Sequence, residues 1–253
     1  MDEFYVLDWT FTPSDYFEEE VDLACEQGTF HLADGKVELR LPTEKYPSDH
    51  SLRMHLHGQL DARFLAIQVL THKPYTLSKP SISKLHPDGR RDVWAFAEGV
   101  TLAISIGSAD VILKDSAGNI ICDTKRERIK HKNRFAQLAA QYITDPVVSA
   151  LLRSYSAAVI DPQNELVHLY EIRDALSQRF GGKTAATGAI GISNEQWSRV
   201  GKLANDEPII QGRHRGKQFG VLRDATSGEL SEARQIARSM IEGYLRYLES
   251  KST

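Results

Sequence analysis

The chain is predicted to be α+β: an antiparallel, β-sandwich-like domain over residues 1–125, followed by an α-helical bundle over residues 126–253. Three observations predict it. Apolar residues alternate with polar ones in the first half, the period that turns one face of a strand toward a core. They recur at helical spacing in the second half, between recognisable capping signals. The charge reverses at the same place. Residues 1–123 carry 11 Lys and Arg against 20 Asp and Glu, a net of −9, and residues 124–253 carry 20 against 14, a net of +6. Opposed charge suggests two domains that attract one another and places any polyanion-binding surface in the second half.

The strands come first. Val37, Leu39 and Leu41 alternate, as do Leu52, Met54 and Leu56, and further β-rich runs lie at 64–69, 93–96, 101–106, 111–113 and 120–122. The last two are joined by KDSAGN, whose Asp, Gly and Asn favour a hairpin. Many short strands with little room for helices point to two packed sheets or a partly open barrel. The acidic run EEEVD at 18–22 reads as a solvated edge. His55 and His57 sit two apart in a predicted strand, on the solvent side opposite Leu52, Met54 and Leu56, and no third ligand stands at a metal-binding spacing. Neither metal nor cofactor is expected.

In the second half, Phe135, Leu138, Ala139, Tyr142 and Ile143 mark one helix, which Asp145 and Pro146 interrupt. Asp145 caps the next helix, striped by Val147, Val148, Leu151, Leu152 and Tyr155. The same Asp-Pro device at Asp161 and Pro162 opens a longer helix carrying Leu166, Leu169, Tyr170 and Leu176, which stops at Gly181 and Gly182. Ser193 with Gln196 forms a capping-box signal for a helix to about Asn205, and Thr226 with Glu229 forms another. From there Leu230, Ala233, Ala237, Met240, Tyr244 and Leu248 line one face of a long closing helix.

A chain of 253 residues, 41% hydrophobic and 26% charged, suffices for two ordinary cores. It holds no run of eighteen apolar residues, and its opening MDEFYVLDWTF is acidic where a signal peptide is basic, so a cytoplasmic location is expected, with no membrane partner. Cys25 and Cys122 are read as small reduced side chains in the core. Gly181, Gly182, Lys183 and Thr184 include a GKT tripeptide but lack the leading glycine and strand of a phosphate-binding loop, which excludes ATP hydrolysis of that type.

The most informative segment is QGRHRGKQ at 211–218, which gathers Arg213, His214, Arg215 and Lys217 between Gly212 and Gly216. Guanidiniums and an imidazole supply donors that fit phosphate geometry, and the glycines let the backbone come close to a ligand. Arg215, Lys217 and Gln218 are the expected phosphate or RNA contacts. Glu171, Arg173 and Asp174 form a polar face on the long helix, of the kind that helices donate to a composite site, and Asn205, Asp206 and Glu207 read as a helix end.

A helical bundle with an Arg-polar-x-x-x-His element before its last helix resembles the HEPN superfamily, over about residues 127–250. Arg213 matches the motif's arginine and His214 its polar second position, while the final histidine falls at Gln218. The resemblance implies an RNA- or nucleotide-binding protein that acts as a homodimer, in its catalytic members a metal-independent ribonuclease of toxin or phage-defence systems. The candidate catalytic residues are then Arg213 and His214. Glutamine cannot exchange a proton near neutral pH, so His214 is left as the imidazole for 2′-hydroxyl attack, its neighbours Arg213 and Arg215 favouring its neutral form. The N-terminal domain lies outside the resemblance, and its expected part is to sense a ligand or partner. TAATGAIGISNEQWSRV at 184–200 resembles a helix-turn-helix with Gly191 at the turn, and implies duplex DNA read by Asn194, Gln196 and Arg199. A third expectation is a docking module without catalysis.

Overall fold

The computed structural model describes residues 3–43, 50–86, 90–94, 112–114, 120–213 and 221–252. The class is α+β, a curled antiparallel sheet followed by a helical region. Four strands open the chain: β1 (Phe4–Thr12), β2 (Val21–Ala24), β3 (Thr29–Ala33) and β4 (Lys36–Pro42). Then come α1 (His50–Thr71), β5 (Thr76–Leu77), β6 (Ser81–Leu85), β7 (Arg91–Trp94), β8 (Ile112–Lys114) and β9 (Ile120–Asp123). The helices α2 (Thr124–Gln141), α3 (Pro146–Ile160), α4 (Glu165–Phe180), α5 (Lys183–Ile190), α6 (Asn194–Asn205) and α7 (Ser227–Lys251) follow.

The main sheet runs β2-β3-β4-β1-β6-β7, with β5 also paired to β1. The alternation in β4 is as expected, with Val37, Leu39 and Leu41 buried. β1 is the central strand, placing Leu7 opposite Leu39 on one side and Ile82 on the other. It carries Val6, Leu7, Trp9 and Phe11 into the core. β8 and β9 pair as the expected hairpin, in a sheet of their own. The 93–96 run is described only as far as Trp94, within β7, and the 101–106 run lies outside the described residues.

The strands expected at 52–56 and 64–69 are instead one helix, α1. Every residue from Ala62 to Val69 is buried. A run that is buried on all sides, Arg63 and Gln68 included, has no solvent-facing period to separate a buried strand from a buried helix, and the 22-residue length of α1 decides for helix. His55 and His57 therefore project about 200° apart around a helix rather than sharing a strand face. His57 Nδ1 accepts a hydrogen bond from Trp9 Nε1 at 3.2 Å. Its burial lowers the pKa of the imidazole.

The chain divides into two units, Met1–Asp61 with Tyr75–Asn133, and Ala62–Pro74 with Arg134–Thr253. Both α1 and α2 thus give one end to each unit. In the first unit, Glu18 is more than a solvated edge: Arg128 holds it through Nε at 3.0 Å and Nη2 at 2.5 Å, and Lys132 adds a further ion pair. These donors, Arg128 foremost, lower its carboxyl to a pKa of about 2.

In the second unit the capping signals form as read. Asp145 accepts from the amides of Val147 and Val148, and the boxes Ser193–Gln196 and Thr226–Glu229 are both closed. Asp161 and Pro162 open a short 3₁₀ turn before α4, which ends on Gly181 in the left-handed region. Helix α7 comes so near α5 at Gly243 that a Cβ there would lie 2.3 Å from the Ile190 carbonyl oxygen. Glu165, the first residue of α4, has 1% of its side chain exposed and accepts from Arg234 Nε at 2.5 Å and Nη2 at 2.8 Å. His72, with φ of 54°, places Nε2 at 3.8 Å from the same carboxylate. Burial first, then Arg234, lowers the His72 pKa, so the imidazole is neutral at neutral pH.

Candidate nucleic-acid interface

Of the residues singled out in the 211–218 segment, Arg213 is described, while His214, Arg215, Lys217 and Gln218 lie outside the described residues. The segment departs from a clamped base. The Ile210 amide donates to the Arg223 carbonyl at 2.9 Å, and the Arg223 amide to Pro208 at 2.9 Å. The Gln211 side chain donates to Asp224 Oδ1 at 3.1 Å and accepts from the Ala225 amide at 3.0 Å. Arg213 is tied back through its amide to the Ala204 carbonyl at 2.6 Å, at the end of α6. Gly212 makes this approach possible, since a Cβ there would stand 2.9 Å from the same carbonyl oxygen.

The Arg213 guanidinium is equally constrained. Its Nη1 donates to Asp174 Oδ2 at 3.1 Å, and its Cζ stands 4.5 Å from the centre of the Tyr170 ring. Arg173 lies over the same ring at 4.8 Å and over Trp197 at 5.4 Å. One face of α4 therefore holds Arg213: Tyr170, Arg173 and Asp174 stand at i, i+3 and i+4, the spacing that puts side chains on one side of a helix. Asp174 fixes the fork of Arg213, and the π-face of Tyr170 attracts both cations. About a third of the Arg213 side chain remains exposed (37%), as does that of Asp174 (42%). The guanidinium is thus held in one orientation while part of it stays open to solvent.

At the helix end 205–207, Asp206 closes α6, and Glu207 pairs with Lys202 at 3.4 Å and lies 3.9 Å from Arg223. The helix-turn-helix reading finds its local geometry in α5 and α6, joined through Gly191 in the left-handed region. Two of its three base readers are engaged within the fold. Gln196 closes its capping box, and Arg199 Nε donates to Glu232 at 2.9 Å. A cleft of about 510 Å³ over the Glu165 pair is lined by His72, Tyr155, Arg234 and Arg238. Its arginines pair with Glu165 and Glu242. Among the described residues there is no cluster of three metal-ligating side chains, and no helix long and apolar enough to cross a membrane. Comparison with protein-family models, curated proteins and solved structures found no match to this chain.

Proposed function

We propose that this chain binds RNA, or a nucleotide in the same manner, through the 211–218 segment, with Arg213 as its phosphate anchor. The observation that carries the reading is the double constraint on Arg213, by Asp174 and by Tyr170, at the rim of a loop rich in cations. A guanidinium held in place beforehand loses little side-chain entropy when phosphate arrives. Arg215 and Lys217 extend the contact along the strand, Gln218 adds a neutral donor, and a homodimer is the assembly that would bring two such loops together.

The test is binding of fluorescent single-stranded RNA to the full chain in EDTA, followed by anisotropy. Arg213→Ala is expected to weaken binding about tenfold and to reduce the salt dependence by about one phosphate contact. Unchanged affinity and unchanged salt slope would refute the assignment. The same samples on a gel read chemistry: strand scission in EDTA that disappears in His214→Ala assigns a metal-independent ribonuclease, and intact RNA assigns a binding protein.

A further inference from the structure

The largest concentration of net positive charge in the second half lies outside the 211–218 segment. Residues 125–134 contain six Lys and Arg and one Glu, a net of +5, whereas residues 135–253 contain 14 against 13, a net of +1. Those ten residues form the first turns of α2. The helix sorts them by angle. Phe135, Ala136, Ala139 and Ala140 are buried on one side, and Arg128 and Lys132 lie on that same side nearer the start of the helix, where Glu18 binds both. Arg126 and Lys130 point the other way, four residues and about 6 Å apart along the axis, on a line that continues to Arg134. Lys125, Arg126 and Lys130 are exposed, and among the described residues no ion pair engages them. Asp123 accepts the backbone amide of Arg126 at 3.0 Å, which leaves the guanidinium itself uncommitted.

We infer that the exposed cations at the start of α2, Arg126 and Lys130 on its outward line with Lys125 about 100° round the helix from Arg126, are a second phosphate-binding surface, whose ligand is the backbone of single-stranded RNA. The choice of RNA rests on the function proposed above. Solvated cations gathered on an exposed helix surface recognise phosphates without reading bases. A bilayer is the weaker fit, because an interfacial helix sinks an apolar face into lipid. The apolar face of α2 is already buried in protein. The neighbouring hairpin does expose Ile112, Ile120 and Ile121, and so vesicles belong in the test.

The experiment compares the full chain with K125E/R126E/K130E and with the neutral K125Q/R126Q/K130Q, circular dichroism confirming that each is folded. The charge-reversed variant is expected to bind single-stranded RNA at least about tenfold more weakly, and the neutral one to flatten the plot of log affinity against log salt by about 2, three contacts at about 0.7 each. Arg213→Ala, measured alongside, should keep that part of the slope. If both triple variants bind as the parent does, the α2 surface is overturned while the loop, read by Arg213→Ala, stands. If the parent ignores RNA but binds phosphatidylserine vesicles through these lysines and arginines, the ligand is a membrane and the RNA assignment is overturned.

Discussion

Arg234→Ala should destabilise the helical unit more than Glu165→Ala, although both remove the same ion pair. Removing one partner of a buried pair costs about 3–5 kcal/mol because the other is left uncompensated. The two survivors differ in their access to water. Glu165 is 1% exposed and would keep a carboxylate with no cation against it, which places Arg234→Ala at the upper end, about 4–5 kcal/mol. Arg234 is 32% exposed and can turn its guanidinium toward solvent, which places Glu165→Ala nearer about 2–3 kcal/mol. In Arg234→Ala, His72, 3.8 Å from the carboxylate, loses the lowering effect of Arg234, so the two costs should converge as pH falls and the imidazole gains its proton. Hydrogen exchange of the α4 and α7 amides measures both values without averaging over the first unit. Equal costs at neutral pH, a reversed order, or two values below about 1 kcal/mol would refute the reasoning.

Two further predictions concern other parts of the fold. Gly243→Ala drives a methyl into the Ile190 carbonyl oxygen, 2.3 Å from the position of the new Cβ, and should lower the stability of the helical unit by about 1–3 kcal/mol, read as a fall in Tm. Glu18 should give the first unit an acid-sensitive component. Its folded pKa of about 2 lies below the ordinary 4.5, so its contribution is present above about pH 4.5 and is lost as pH falls toward 2. Arg128→Gln should flatten the dependence of the urea midpoint on pH across that window, and an unaltered profile would remove Glu18 from the account.

Local signals in the sequence were read correctly where a few adjacent residues decide the outcome. The Asp145 cap and the two capping boxes need only their own backbone, and each forms. α1 was hidden because the run at 62–69 is buried on every side and so has no period. β1 was missed for a related reason. Leu7, Trp9 and Phe11 do alternate with Asp8, Thr10 and Thr12, and only Val6, buried beside Leu7, departs from the pattern, after the unbroken apolar start Phe4–Leu7. The site was legible in part. Arg213 stands out by its neighbours, and Arg173 and Asp174 read as a polar face with Glu171, but Tyr170 reads as part of the apolar stripe, and the meeting of Asp174 with Arg213 joins residues 39 apart, which no local pattern reports. The charge reversal near Asp123 was visible, whereas its division between the outward line of α2 and the side that Glu18 binds appears only once those residues are wound into a helix.

The passage of α1 through both units has a consequence for synthesis. Ribosomes release residues 62–74 long before residues 134–253, the rest of the unit to which they belong, have been made. Until then the apolar run at 62–69 has no partner of its own unit, the kind of segment that draws chaperones or aggregates during translation. For the same reason no single cleavage point separates the two units. A fragment beginning near residue 126 would lack the Ala62–Pro74 segment, including His72, and would expose whatever that segment covers, so the helical unit should be studied in the intact chain or with that segment supplied as a peptide.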